Sequence, residues 1–282
     1  MPASLGSIAR CIRLIAVLVL ASPLLAAGQP EAVRLQLKWR HAFQFAGYYA
    51  AQEKGYYRAA GLNVTLQEAR PGDDSLQVVT RGDAEFGIGN SNLLLARYDG
   101  KPVVAVATIF QHSPLVLLAR QDAGINSVKE LAGRTIMLEP HSDELIAMLR
   151  QAGVSPSDIR PIEHAFEPSS LIEGRVVAMS AYVTNETWFL EQAGIAYRTF
   201  SPLAAGIDFY GDTLFTTDAL LKNKPELVAA FRAASLQGWR YALEHPEEIA
   251  RLIHEKYSSY YPLDFLRHEA RQMLPLIQAE LV

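Results

Sequence analysis

Cysteine is almost absent from this chain, because Cys11 is the only one among 282 residues. A single cysteine excludes a disulfide framework, a pair of redox cysteines and a zinc site built on cysteine. Basic clusters are missing too: nowhere do four lysines or arginines stand together, and 26 basic residues face 30 acidic ones. With a formal net charge of −4, the sequence predicts that the protein does not bind nucleic acid.

Catalytic signatures are equally scarce. The sequence has no G-x-S-x-G elbow, no phosphate loop of the G-x-x-x-x-G-K-[ST] type and no H-E-x-x-H pair. The fragment Gly87-Ile88-Gly89 lacks the third glycine of a dinucleotide-binding turn. Seven histidines occur singly, which argues against a metal site. We therefore expect no catalytic residues, no metal and no cofactor.

A long apolar run occurs once, over residues 14–25 (LIAVLVLASPLL), after two arginines and before small residues at positions 26–28. Its twelve residues are fewer than the roughly twenty that cross a bilayer. This order is typical of a secretory signal peptide, here residues 1–28, although a buried helix interrupted by Pro23 is the alternative. Cleavage of this signal peptide would remove the two arginines and leave 26 − 2 = 24 basic residues against 30 acidic ones, which is a net charge of −6.

The remaining chain alternates short β-branched runs with helical stretches. Residues 33–39 (VRLQLKW) alternate apolar and polar side chains as a strand does, and residues 43–54 read as a helix that Gly55 closes. Strands separated by helices predict an α/β architecture with mainly parallel sheets. A second unit begins near Gln121, and from Asp218 onward helices separated by prolines predominate.

Five loops follow the carboxyl ends of predicted strands, where open parallel sheets bind their ligands. Each loop carries aromatic or polar side chains of the kind that a small-molecule site needs. If these loops converge, they form a cleft with aromatic walls and a few hydrogen-bonding groups. The loops span residues 39–49, 87–92, 138–142, 180–186 and 207–212.

Three runs of the sequence carry a family resemblance: residues 35–64 (LQLKWRHAFQFAGYYAAQEKGYYRAAGLNV), 178–186 (AMSAYVTNE) and 208–215 (DFYGDTLF). They are similar to periplasmic substrate-binding proteins related to the thiamine-pyrimidine synthases. That group includes the formylaminopyrimidine-binding components of ABC transporters. The resemblance implies a type II periplasmic-binding-protein fold, with two lobes joined by two crossovers and a helical C-terminal segment.

The resemblance also implies boundaries and partners. Lobe one would comprise residues 31–120 and 215–282, and lobe two residues 121–214. A small flat heterocycle, similar to a thiamine-pyrimidine precursor, would bind between the lobes. An ABC permease at the membrane would receive it, and the protein would act as a monomer in the periplasm.

Two alternatives stay open within this resemblance. Fungal relatives are synthases that make the thiamine pyrimidine from pyridoxal phosphate, and they carry a cofactor-binding lysine, a consumed histidine and a cysteine-rich run. The matching residues 87–100 (GIGNSNLLLARYDG) have neither lysine nor histidine, and the cysteine-rich run is missing. Without a lysine amine there is no Schiff base to pyridoxal phosphate, so we expect a binding protein and not an enzyme. The other alternative is a periplasmic ligand-sensing module of a signalling system.

Trp39 is the foremost candidate for ligand contact, as a ring that stacks on a flat heterocycle; the alternative is a core tryptophan at the end of a strand. Tyr182 and Tyr210 would supply the opposite wall, or pack as ordinary tyrosines. Asp212 would alternatively cap a turn at the hinge, and Glu186 would simply lie in the first turn of a helix. The polar candidates for reading ring nitrogens and amino groups are Gln44, Asn90, Glu139, Asn185, Glu186 and Asp212.

Overall fold

Two five-stranded sheets form the framework of the protein. The computed structural model describes residues 29–70, 72–165, 167–258 and 260–277, so the predicted signal peptide lies outside the described residues. The first sheet consists of β1 (Glu31–Gln36), β2 (Leu62–Gln67), β3 (Phe86–Gly89), β4 (Val103–Thr108) and β10 (Thr213–Thr217), in the order β2-β1-β3-β10-β4. The second consists of β5 (Leu115–Arg120), β6 (Thr135–Leu138), β7 (Arg160–Glu163), β8 (Ala178–Tyr182) and β9 (Tyr197–Phe200), in the order β7-β6-β8-β5-β9.

Helices cover both sheets. Those that follow strands of the two lobes are α1 (Ala46–Glu53), α2 (Tyr56–Ala59), α3 (Ser75–Thr80), α4 (Asn92–Tyr98), α5 (Asp143–Gln151), α6 (Ser169–Ile172) and α7 (Glu186–Gln192). The predicted helical C-terminal segment is confirmed, and it consists of α8 (Asp218–Asn223), α9 (Pro225–Glu244), α10 (Pro246–Lys256) and α11 (Leu263–Ile277). Within the described ranges, none of these helices combines the length and the hydrophobicity that a bilayer crossing requires.

The two-lobed α/β fold is confirmed, but the sheets are mixed and not mainly parallel. In the first sheet β1 pairs in parallel with β2 and β3, whereas β10 runs antiparallel to β3 and β4. In the second, β6 pairs in parallel with β7 and β8, whereas β5 runs antiparallel to β8 and β9. The reason is that β5 and β10 each enter their sheet from the other lobe. The βαβ crossover that fixes a parallel direction is missing there.

The chain passes between the lobes twice, over residues 109–114 and 201–212. Backbone hydrogen bonds join the two passages, from the Ile109 amide to the Asp212 carbonyl and from the Ser113 amide to the Phe209 carbonyl, both at 2.8 Å. The sequence placed the first boundary at residue 120, but Leu115–Arg120 is a strand of the second sheet. We therefore propose that lobe two begins at Leu115.

Each sheet is buried on both faces. One face of the first sheet packs against α1, α9, α10 and α11, where Phe231 stacks on Phe86 with ring centroids 4.1 Å apart. The other face packs against α3 and α4 around Phe215. Helices α1 and α9 lie so close that a Cβ added at Gly238 would stand 2.1 Å from the Gly47 carbonyl oxygen. The helical tail is therefore part of the core of lobe one.

Two local differences from the sequence expectation matter for the site. The first strand ends at Gln36 and not at Trp39, although the Leu37 amide still donates to the Gln67 carbonyl at 2.9 Å. Lys38 and Trp39 therefore stand just beyond the strand end, where the lobes meet. The sequence also missed β7, because its residues are all exposed and it contains Pro161, which an edge strand tolerates.

Candidate functional site

A buried polar junction links the lobes at their centre. The Lys38 ammonium donates to the Tyr182 hydroxyl oxygen at 2.6 Å, and that hydroxyl donates to Asp212 Oδ1 at 3.0 Å. Lys38 Nζ is also 3.7 Å from Oδ1, and Gln44 Nε2 donates to Oδ2 at 2.7 Å. Burial raises the pKa of Asp212, while the charge of Lys38 and the hydrogen bonds oppose that effect. Because lobe one supplies Lys38 and lobe two supplies Tyr182, the junction holds the lobes together.

Two aromatic rings from opposite lobes meet beside this junction. Trp39 is 8% exposed, and its Nε1 donates to the Tyr261 hydroxyl at 3.1 Å. Its ring centroid lies 5.6 Å from that of His164, which follows β7, with the planes tilted by 56°. Burial lowers the pKa of His164 to about 4, so the ring is neutral at pH 7. Since Nε2 lies 3.1 Å from the Ser180 carbonyl, which only accepts, Nε2 carries the proton and the buried Nδ1 keeps a free lone pair.

Two cavities open around Trp39 between the lobes, and they share Lys38, Trp39 and Glu139. The larger has a volume of about 90 Å³ and the smaller one of about 10 Å³, so both are narrow in this arrangement of the lobes. The polar residues lining the larger cavity are Lys38, Asp73, Asp74, Ser75, Asn90, Asn92, Glu139, His141, Glu163 and His164. The smaller is lined by Lys38, Trp39, Gln44, Glu139, Tyr182, Asn185 and Glu186.

The Glu139 side chain lines both cavities, and its carboxyl group is free to bind a ligand. Its backbone amide donates to Ser180 Oγ at 2.7 Å, which fixes the position of the residue after β6. Among the described residues, no hydrogen bond reaches its carboxyl group. Burial raises the pKa of Glu139, and the charge of Lys38 acts against that rise. A half-buried carboxyl group with unused acceptor positions is suited to take hydrogen bonds from the N–H groups of a ligand.

Two further glutamates lie completely inside the interface. Glu186, at the start of α7, accepts from the Tyr182 amide at 2.8 Å through Oε2. Glu269, on α11, accepts from Asn185 Nδ2 at 3.4 Å, while no hydrogen bond from the described residues reaches its buried Oε2. Burial raises the pKa of each of these carboxyl groups to about 8. Both are therefore predominantly protonated at pH 7.

We expect the free energy of unfolding to fall as the pH rises from about 5 to about 8. Glu186 and Glu269 bind their protons more tightly in the folded protein than in the unfolded chain, where a glutamate has a pKa of about 4.3. Their contribution to stability is complete below that unfolded value and is lost as the pH rises through about 8. In urea titrations across this range, Glu186→Gln should flatten the decline. The exposed Glu226→Gln serves as control, and an unchanged slope in Glu186→Gln would contradict the assignment.

A clasp formed by Asp74, Asn90 and His141 closes one side of the larger cavity. His141 Nε2 lies 3.3 Å from Asp74 Oδ2, and the His141 carbonyl accepts from Asn90 Nδ2 at 3.3 Å. His141 has a φ of +60°, and no other non-glycine residue in the described part of the chain has a positive φ. The hydrogen bond that Asp74 accepts from the His141 ring raises the pKa of His141. Such backbone strain concentrates at ligand sites, and here it is held by two residues of the opposite lobe.

The structure gathers seven of the nine sequence candidates at the cavities. Trp39 and Glu139 line both, Asn90 lines the larger, and the rest line the smaller, namely Gln44, Tyr182, Asn185 and Glu186. Asp212 lines neither cavity, and both its carboxylate oxygens are engaged by Gln44 and Tyr182 and not by a hinge turn. Tyr210 is placed outside both, with 57% of its surface exposed, so it does not form the second wall. The reason is local, because the Ser91 hydroxyl holds the Tyr210 carbonyl and the ring is left in solvent.

Several residues of the site were not found from the sequence. Lys38 lies inside the strand predicted over residues 33–39, and its position next to the candidate Trp39 was the available signal. His164 was not found, because it follows β7, whose exposed residues give no strand signal in the sequence. The clasp partner Asp74 caps α3 by accepting from the Leu76 amide at 2.9 Å through Oδ1. Its second oxygen reaches His141, a contact that only the packing of the lobes creates.

Comparison with known proteins agrees with this architecture. Residues 42–249 match the model of the family described as NMT1/THI5 like. The chain belongs to the NMT1/THI5-like family.

Two relatives of this chain are binding proteins. Riboflavin-binding protein RibY of Chloroflexus aurantiacus is 31% identical over 227 residues, which are 77% of this chain and 64% of that protein. The match thus spans less than two thirds of that relative's length. A formylaminopyrimidine-binding protein of Halalkalibacterium halodurans is 28% identical, and the match covers 79% of this chain and 70% of that protein's length.

Solved structures of other proteins have the same fold as this chain. The alkanesulfonate-binding protein SsuA of Xanthomonas axonopodis pv. citri, bound to MOPS, superposes with a TM-score of 0.69 and 16% identity, covering 87% of this chain and 85% of that one. At this identity the likeness shows the fold alone, which is that of the periplasmic binding proteins. More distant family relatives are pyrimidine phosphate synthases, and the binding proteins are more similar to this chain.

Proposed function

We propose that this protein is an extracytoplasmic solute-binding protein that captures a small flat heterocycle between its lobes for an ABC importer. The observation that carries the proposal is the larger cavity, where two rings from opposite lobes, Trp39 and His164, stand beside the unpartnered carboxyl group of Glu139. A flat ring gains contact with aromatic side chains, and its N–H groups gain an acceptor in Glu139. Both lobes then contribute to one site.

The relatives support this class of ligand. Their names state riboflavin and a formylaminopyrimidine, and both compounds are flat heterocycles that carry N–H donors. The pyrimidine is a precursor of the thiamine type that the sequence resemblance implied. We propose riboflavin-like and aminopyrimidine-like compounds as the ligands to be tested first.

The synthase alternative is disfavoured by the state of the one lysine that lines the cavities. Lys38 is held by the Tyr182 hydroxyl and the Asp212 carboxylate, so its ammonium is ion-paired and not a free amine. A Schiff base to pyridoxal phosphate requires the neutral amine. We therefore propose a binding role without covalent chemistry. A sensing module would use the same cleft, and stimulation of a permease's ATP hydrolysis by the loaded protein would distinguish transport from sensing.

The test is a calorimetric titration of the purified protein with riboflavin and with 4-amino-5-hydroxymethyl-2-methylpyrimidine, preceded by native mass spectrometry to detect a retained molecule. A micromolar ligand corresponds to about −8 kcal/mol, and at least one of the two compounds should reach it. Pyridoxal phosphate should produce no Schiff-base absorbance. If neither heterocycle binds and no small molecule is retained, the proposed function is wrong.

We expect the bound heterocycle to make the protein more compact. A ligand that touches both lobes binds the closed form better, and this difference in affinity shifts the population toward it. The Asp74–Asn90–His141 clasp joins the lobes by two hydrogen bonds, which opening of the cleft would break. His141→Asn keeps a residue that tolerates positive φ but removes the imidazole that contacts Asp74, and it should weaken both affinity and compaction in small-angle scattering. Saturation without any decrease in the radius of gyration would contradict the closing mechanism.

A further inference from the structure

The charged side chains that line the larger cavity are predominantly acidic. Asp73, Asp74, Glu139 and Glu163 all contribute to it, and Lys38 is the single lysine or arginine among the lining residues. A cleft lined by charges of one sign focuses its electrostatic field, so several nearby carboxylates act together on an entering ligand. A dianionic group would enter against that field. A hydroxyl or amino group would instead find hydrogen-bond acceptors.

The helix ends at the cleft do not offset this charge. Helix N-termini attract anions through their free amides, and the fold directs several of them toward the cleft. At α3 the protein's own carboxylate already occupies such an amide, because Asp74 Oδ1 accepts from the Leu76 amide at 2.9 Å. The first turn of α7 carries the acidic residue Glu186. The first turn of α5 likewise carries Asp143 and Glu144.

The one lysine of the lining is also engaged, just as His141 is engaged by Asp74. Lys38 lies 2.6 Å from the Tyr182 hydroxyl oxygen, 3.7 Å from Asp212 and 4.7 Å from the centre of the Tyr182 ring. Its charge therefore compensates a carboxylate that is buried in the protein. A phosphate or sulfonate that recruited Lys38 would leave Asp212 buried with less compensation, which costs free energy.

We propose that this site selects the unphosphorylated form of its heterocycle and rejects phosphate monoesters and sulfonates. The proposal rests on the proposed function and specifies its ligand as a neutral or cationic ring compound with hydroxyl or amino substituents. It also sets an order of reactions. A phosphate ester of the ligand has to be hydrolysed by a phosphatase before capture, and any phosphorylation of the cargo follows its release.

The experiment compares two matched pairs of probes: riboflavin with riboflavin 5′-phosphate, and 4-amino-5-hydroxymethyl-2-methylpyrimidine with its phosphate. At low salt the phosphate ester of the bound heterocycle should bind about 100-fold more weakly than the alcohol, because it faces several carboxylates at short range. The ratio should shrink at about 1 M salt, where the Debye length is about 3 Å.

A charge-neutralised variant tests the cause. The double variant Asp74→Asn with Glu163→Gln keeps the side-chain shapes and should narrow the ratio about tenfold by improving binding of the ester. The matched control, Asp99→Asn with Glu226→Gln, removes the same charge from exposed positions outside both cavities and should leave the ratio unchanged.

The outcomes separate the two proposals. Equal binding of an alcohol and its phosphate, or tighter binding of the phosphate, overturns the selection for unphosphorylated ligands and leaves the binding function standing. A large ratio that Asp74→Asn with Glu163→Gln does not change overturns the assignment to these carboxylates. Failure of all four probes to bind overturns the proposed function together with this inference.

Discussion

Replacing Lys38 with methionine is expected to lower the free energy of unfolding by about 3–5 kcal/mol, the usual effect of removing one partner from a buried ion pair. The loss arises because Asp212, with 2% of its surface exposed, would remain buried opposite a neutral side chain. Burial already raises the pKa of Asp212, and Lys38 is the first of the groups that oppose this rise. Urea denaturation at neutral pH, with and without the substitution, measures the change.

The companion variants separate charge from packing. Adding Asp212→Asn to Lys38→Met should recover most of the lost stability, because the amide still accepts from Tyr182 and no uncompensated carboxylate remains. Lys224→Met, which removes the partner of Glu31 in an exposed ion pair, should have no comparable effect. If the double variant is as unstable as Lys38→Met alone, the loss does not come from the buried charge of Asp212.

Truncating Trp39 to alanine should reduce both stability and ligand affinity. Trp39 belongs to the core of lobe one and donates to Tyr261, so its removal should cost about 3–5 kcal/mol of unfolding free energy. Because the same ring lines both cavities, binding of the cognate heterocycle should weaken by about 1–3 kcal/mol as well. Affinity is measured at a temperature where circular dichroism shows the variant folded.

Two variants decide which role dominates. Trp39→Phe retains an aromatic wall but not the hydrogen bond to Tyr261, so affinity should largely survive. Trp239→Ala removes another buried tryptophan, which packs edge-on against Tyr48 and lines neither cavity, so stability should fall while affinity is kept. Unchanged affinity in folded Trp39→Ala would show that the ring is a core residue and not a wall of the site.

Local sequence patterns determined the type of fold and much of the site. Alternating apolar runs and helix starts at prolines predicted the α/β lobes and the helical tail, because hydrophobic period and proline geometry act over a few residues. The family resemblance, carried by runs such as residues 178–186, is confirmed. Seven of nine proposed site residues line the cavities, because loops after parallel strands converge wherever such a sheet forms.

Long-range packing determined the directions of the strands and the contacts between distant residues. The antiparallel direction of β5 and β10 depends on how the chain passes between the lobes, and no local pattern records that passage. The exposed strand β7 has no hydrophobic signal, so His164 could not be placed opposite Trp39. The partners Lys38 and Asp212, and likewise Asp74 and His141, are separated by many residues along the chain and meet only in the folded structure. Sequence spacing determines which side chains share a loop, whereas electrostatic pairing across a cleft depends on distances that only the tertiary structure sets.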